Sequence, residues 1–347
     1  MKHTIALDAM GGDHAPQIVV AGADIARERY PDLRFLLFGE RDRIEPLLSA
    51  RPRLAAASTL EHTSDFVESD ARPSQVLRKG QRTSMRLAID AVHHGHAAAA
   101  VSAGNTGALM ALSKFVLRML PGIERPAIAS LMPTRRSETV FLDLGANAEC
   151  DAENLVQFAV MGEVYARAVL GVAKPTVGLL NIGTEDVKGH DTIRRAATML
   201  RASDLPIEFR GFVEGTDLTS GKVDVVVTDG FTGNVALKVA EGTVGLYTQF
   251  LREAFKSSLL SKIGYALARP ALDVLRQRLD PRRYNGAMFL GLNGIVVKSH
   301  GGTDALGFAN AIGVAVDLAE QGTNQRIMSE LQRVDEDAGG EPHARAS

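Results

Sequence analysis

Five times along this chain an apolar run stops in a turn rich in glycine and small polar residues: at residues 5–13, 100–107, 141–147, 179–185 and 225–234. Buried strands that end this way build open α/β sheets, in which ligands sit outside the carboxyl ends of the strands. Glycine lets the backbone approach a ligand closely, and the N–H groups exposed at such turns bind anions. The repeated layout predicts an α/β fold whose five turns converge on one polar, anion-binding cleft.

The segments between the turns fit that frame. Helical spacing runs over 16–30, 154–170 and 191–200, with strand patterns at 34–39 and 207–213. Ser84 is expected to cap a helix that ends near His93 and His94. Alternating strands and helices imply a doubly wound, mostly parallel sheet covered on both faces. From 242 to 290 the pattern is almost wholly helical, with Pro270 expected to break it. Strand character returns at 294–298, and a last helix follows Asp304 to about Ala319. The reading is one α/β body over 1–334, a helical excursion at 242–290 within it, and a flexible polar tail at 335–347.

Composition excludes several functions. The formal net charge of −2 sets up no field that favours nucleic acid, and tryptophan is absent. A single cysteine, Cys150, excludes an intramolecular disulfide framework. No apolar run is long enough to span a membrane, and the start at Met1-Lys2-His3 is not a signal peptide. No Gly-x-Gly-x-x-Gly follows the first strand. Ser220-Gly221-Lys222 fails as a P-loop, because Gly215 is misplaced and Val223 stands where Ser or Thr is needed. His93, His94 and His96 point in different directions on a helix, so they do not make a metal site.

An anion site remains. Lys188 lies in the loop after the fourth turn, where a flexible lysine makes a phosphate clamp. Asn105 and Asn234 sit in glycine-flanked turns, as ligand donors or as holders of a left-handed turn. Thr106 and Thr232 either cap the following helix or bind phosphate oxygens. Asp143 and Asp229 end strands and orient these donors. Arg78, Lys79, Arg82 and Arg86 form a basic cluster, either a solvated face or a dock for an acidic partner. In the excursion, Leu259, Leu260, Ile263 and Leu267 make an apolar stripe with Lys256, Lys262 and Arg269 around it. Such a stripe lies on an anionic membrane, packs against its twin in a dimer, or folds onto its own body.

Taken in order, several motifs resemble the phosphate acyltransferase family of bacterial phospholipid synthesis. They are Asp8-Ala9-Met10-Gly11-Gly12-Asp13, Ser102-Ala103-Gly104-Asn105-Thr106-Gly107, Asp143-Leu144-Gly145-Ala146-Asn147, Asn181-Ile182-Gly183, Lys188-Gly189, Asp229-Gly230-Phe231-Thr232-Gly233-Asn234 and Lys298-Ser299-His300-Gly301. The resemblance covers about residues 4–320; Glu149 departs from it, where a shorter aspartate is expected. It implies a three-layer α/β/α sandwich, a homodimer, and transfer of a long acyl chain from acyl carrier protein to inorganic phosphate. It implies no metal or organic cofactor. It also implies peripheral contact with the cytoplasmic membrane, where a glycerol-3-phosphate acyltransferase takes the acyl phosphate.

On that reading Lys188, Asn234, Thr232 and the backbone of Gly104 to Thr106 bind phosphate. Asn105 or Asn147 donates to the oxyanion, Gly11, Gly12 and Asp13 line the substrate site, and Cys150 is a spectator. Two enzymes of related fold stand as rivals: a phosphotransacetylase that uses acyl-CoA, and a metal-dependent NAD(P) dehydrogenase drawing on Asp8, Asp13, Asp143 and Asp229. A membrane-associated scaffold is the non-enzymatic rival.

Overall fold

The computed structural model describes residues 3–203, 205 and 207–337. The first half of the chain alternates strands β1 (Thr4–Asp8), β2 (Arg34–Gly39), β3 (Ser58–His62) and β4 (Ala99–Ser102) with helices α1 (Gln17–Arg29), α2 (Arg41–Ser49), α3 (Pro52–Ala55), α4 (Pro73–Lys79), α5 (Ser84–His93) and α6 (Thr106–Leu117). The antiparallel pair β5 (Ala127–Pro133) and β6 (Glu138–Leu142) leads to α7 (Ala152–Leu170), β7 (Thr176–Leu180), α8 (Asp191–Ala202), β8 (Glu208–Val213) and β9 (Val225–Val227). Two long helices follow, α9 (Gly230–Lys256) and α10 (Leu259–Arg278), then β10 (Ala287–Leu290), β11 (Ile295–Lys298), α11 (Ala305–Glu320) and α12 (Thr323–Asp337).

The described strands form one sheet in the order β3-β2-β1-β4-β11-β10-β5-β6-β9-β7-β8. Both faces are covered, as the alternating burial of the strands requires. Ile5, Leu7, Val225 and Val227 pack on one side with Phe158 and Tyr165 of α7 and Phe308 of α11. Ala6 and Val226 face the other side, with Met85 and Ile89 of α5 and Leu109 and Leu112 of α6. This is the expected doubly wound sandwich.

The sheet reverses direction at its centre. β10 is antiparallel to β11 and to β5, and β5 is antiparallel to β6. The β1, β4 and β11 strands therefore run opposite to β6, β9 and β7. The five turns do not converge on one sheet edge as expected. They form two groups, one after β1 and β4, the other after β6, β9 and β7. The Asn293-Gly294 turn marks the β10–β11 hairpin, but the pairing of β10 with β5 joins segments about 160 positions apart and leaves no local signal.

Other boundaries also differ from expectation. Thr83 caps α5, its hydroxyl accepting from Arg86 N–H at 3.4 Å, while Ser84 turns its own hydroxyl inward. The α9 helix begins at Gly230, well before 242, because Asp229 caps it by accepting from Thr232 N–H at 2.8 Å. Pro270 lies inside α10 and does not end it; the break comes at Ser257 and Ser258, where Ser258 caps α10. The last turn of α12 reaches Asp337, into the segment expected to be a tail, and residues 338–347 lie outside the described residues.

Candidate active site

The group after β6 and β9 is organised by one buried carboxylate. Asp143 accepts through Oδ1 from the N–H groups of Ile128 (2.9 Å), Gly145 (3.1 Å) and Ala146 (3.0 Å). Its Oδ2 accepts from the N–H (2.8 Å) and the side-chain amide (2.9 Å) of Asn147. These donors favour the carboxylate, yet burial dominates and raises its pKa. The first turn of α9 presses onto this loop: a Cβ on Gly233 would fall on Asp143 O, so only glycine lets the helix start here. Gly230 N–H donates to Asn147 O at 2.7 Å.

Asn234 is exposed and stands over Gly145, whose ideal Cβ position lies 3.6–3.8 Å from its side chain; among the described residues it has no hydrogen-bond partner. Lys188 is exposed on the loop after β7, the neighbour of β9, and its ammonium is likewise without a partner there. That loop is held by Asn181, whose amide donates to Lys188 O at 3.1 Å and whose Oδ1 accepts from Ile182 N–H at 2.9 Å.

Most of the remaining candidates have occupied side chains. Both amide hydrogens of Asn147 are used, on Asp143 and on Pro126 O at 2.7 Å, so its side chain anchors the loop and is not available to an oxyanion. Asn105 caps α6, accepting from Ala108 N–H at 2.8 Å, and donates to Ser69 O and Ala71 O. The Thr232 hydroxyl donates to Asp229 at 2.8 Å, while Thr106 is exposed in the first turn of α6. Cys150, close to this group, has its pKa pushed up to about 12, chiefly by burial and then by the charges of Asp143 and Asp229.

The second group surrounds a fully buried Asp8. Its carboxyl accepts from Ser84 Oγ and Ser102 Oγ, both at 2.6 Å, and burial raises its pKa. Ser102 Oγ in turn accepts from Gly104 N–H at 3.0 Å, and a Cβ on Gly11 would fall on Asp8 Oδ2. Asp13 N–H donates to Gly301 O at 3.0 Å, and Gly12 lies against Ala103. Sequence reasoning missed Lys298 as a site residue. It ends β11, donates to Ala103 O at 3.3 Å and to Ser299 O, and burial lowers its pKa to about 8 against the pull of Asp8 and Asp13. Its signal was a lysine closing an otherwise apolar strand.

The structure thus brings Asp143, Asn147, Asp229, Thr232 and Asn234 together, with Lys188 on the loop after the adjacent strand β7. It places Gly11, Gly12, Asp13, Gly104, Asn105 and Thr106 in the other group. Among the described residues no three His, Cys, Asp or Glu side chains are grouped to hold a metal ion, and no helix is long and apolar enough to cross a membrane.

A family described as "Fatty acid synthesis protein" matches residues 3–326. This chain belongs to that family. Its curated relatives include the phosphate acyltransferase of Rhodospirillum centenum, 67% identical over 96% of this chain and 94% of the relative. The phosphate acyltransferase of Rhodospirillum rubrum is 61% identical over 95% of each chain. The chain is an acyltransferase of this family. Among solved structures it is similar in fold to a phosphotransacetylase from Streptococcus pyogenes, at 18% identity and a TM-score of 0.62 over 92% of this chain and 94% of that one. It is also similar in fold to a 4-hydroxythreonine-4-phosphate dehydrogenase from Klebsiella pneumoniae, at 14% identity and a TM-score of 0.52 over 92% and 98%.

Proposed function

We propose that this acyltransferase moves a long-chain fatty acyl group from the thioester of acyl carrier protein to inorganic phosphate, giving an acyl phosphate for phospholipid synthesis. The family membership and the names of the relatives support it. The observation that carries it to this site is the pair Lys188 and Asn234: two polar side chains without a partner among the described residues, beyond the ends of the neighbouring strands β7 and β9, while Asp143, Asn147, Asp229 and Asn181 are tied into the scaffold.

Phosphate is already substantially dianionic near neutrality and is itself the nucleophile, so positioning matters more than base catalysis. Lys188 clamps the phosphate, and the Asn234 amide donates either to phosphate or to the oxyanion that forms on the thioester carbon. A phosphate oxygen bonds to that carbon, the C–S bond breaks, and the carrier thiolate leaves with its electron pair and takes a proton from solvent. Cys150, with its thiol held protonated by burial, has no covalent role. The chain works as a homodimer at the cytoplasmic membrane surface, where a glycerol-3-phosphate acyltransferase consumes the product.

The test follows free thiol release from palmitoyl-carrier protein, with and without millimolar phosphate, and traps the product with hydroxylamine. Phosphate-dependent release with a hydroxamate product is expected. Release that ignores phosphate, or that occurs from palmitoyl-CoA alone, would overturn the proposal.

A further inference from the structure

The outer face of α6 carries a basic surface. Gly107 and Lys114, two helical turns apart, are exposed, as are Phe115 and Arg118, which stands just past the helix end. Phe115 is 53% exposed and lies between two guanidinium groups, Arg86 at 5.5 Å and Arg118 at 5.8 Å from its ring centre. At the other end of the stripe Gly107 meets Pro73, which opens α4 and leads to Arg78, Lys79 and then Arg82. Arg86 is paired with Asp90 at 2.9 Å; the other five cations have no acidic partner among the described residues, although Glu68 and Asp70 stand on the preceding loop.

This surface reaches the candidate site. The α6 helix starts at the Gly104–Asn105 turn and spans roughly 18 Å at 1.5 Å per residue. Past its C-terminal end, Leu120 N–H donates to Gly291 O at 2.8 Å, just after β10. Leu290 of β10 pairs with Ala127 of β5, and the adjacent Pro126 O accepts from Asn147. Arg118 and Phe115 therefore stand at the sheet edge on which the Asp143 loop opens.

We propose that Arg78, Lys79, Arg82, Lys114 and Arg118, with Phe115 as their apolar anchor, are the docking surface for an acidic, acyl-carrying protein. This rests on the carrier-protein reading above. Unpaired cations around one exposed aromatic ring fit an acidic helical face with a small apolar centre, and complementary charge steers such encounters.

The test measures binding of labelled apo-carrier protein by fluorescence anisotropy at low and high salt, separately from turnover. The wild type should bind in a salt-weakened manner. The double variant Lys114→Glu, Arg118→Glu should lose about tenfold or more in affinity, and Arg82→Glu should lose part of that. Lys174→Glu, outside the patch, should bind normally, and thermal melts establish that each variant is folded. Equal binding by the double variant, an equal loss in Lys174→Glu, or loss of binding only to phosphatidylglycerol vesicles would overturn the docking surface. Patch-dependent binding by a wild type without phosphate-dependent turnover would uphold the surface and sink the proposed reaction.

Discussion

At the scale of single residues, the site separates side chains that hold the scaffold from those left for substrate. The side chains of Asp143, Asn147, Asp229 and Asn181 spend their hydrogen bonds on the scaffold, whereas those of Lys188 and Asn234 have no partner among the described residues. Lys188→Ala should cost about 2–4 kcal/mol in kcat/KM, roughly 30- to 1,000-fold, the scale of one charge-stabilising donor. Steady-state kinetics against phosphate checks it, and an unchanged phosphate dependence would remove the assignment. Lys298 makes a different prediction. Its pKa falls from 10.5 to about 8 on folding. Between those values the unfolded chain binds more protons than the native one, so stability rises with pH across the window and is lost as pH falls through about 8. Urea unfolding of Lys298→Met should lack this increment relative to wild type.

At the scale of elements, Pro270 was a misleading signal. It removes one backbone donor but leaves α10 continuous, while serines at 257 and 258 supply the real break because Ser258 caps the new helix. Leu259, Leu260, Ile263 and Leu267 are all exposed on α10, so of the three readings of this stripe the structure sets aside packing onto its own body. Leu260→Lys with Leu267→Lys should reduce flotation with anionic vesicles while preserving carrier binding at α6; undiminished flotation would exclude this stripe from the membrane. The α12 helix, unforeseen in the sequence, is tied to α7 through Arg167, which pairs with Glu163 and Glu330, each at 3.0 Å. Burial raises the Glu163 pKa from 4.5 to about 7 despite that arginine. The native state therefore holds the extra proton, and stability from this group is lost as pH rises from 4.5 to about 7. Melting temperatures of Glu163→Gln across that range should fall less steeply than those of the wild type.

At the scale of the whole molecule, α9 leaves the body with its long apolar stripe uncovered: Phe231, Val235, Val239, Leu246 and Phe250 are exposed along one side. Such a face needs a partner, and a twin copy supplies an identical stripe. Val239→Glu with Leu246→Glu should convert the assembly to monomer in light scattering; a wild type that is itself monomeric would refute the dimer. The sequence alone determined the α/β class, the Gly-rich strand ends and the largely helical stretch after β9, because period-2 and period-3.6 patterns and turn chemistry are local properties. Only the tertiary structure decided which turns meet. Strand direction reverses through the antiparallel pairs of β10 and β5, and long-range pairing placed Lys298 beside Asp8 and divided five similar turns into two groups. It also decided which asparagine amides are occupied, since Ser69 O and Pro126 O, which accept from Asn105 and Asn147, lie more than twenty positions away in the chain and are brought near only by packing.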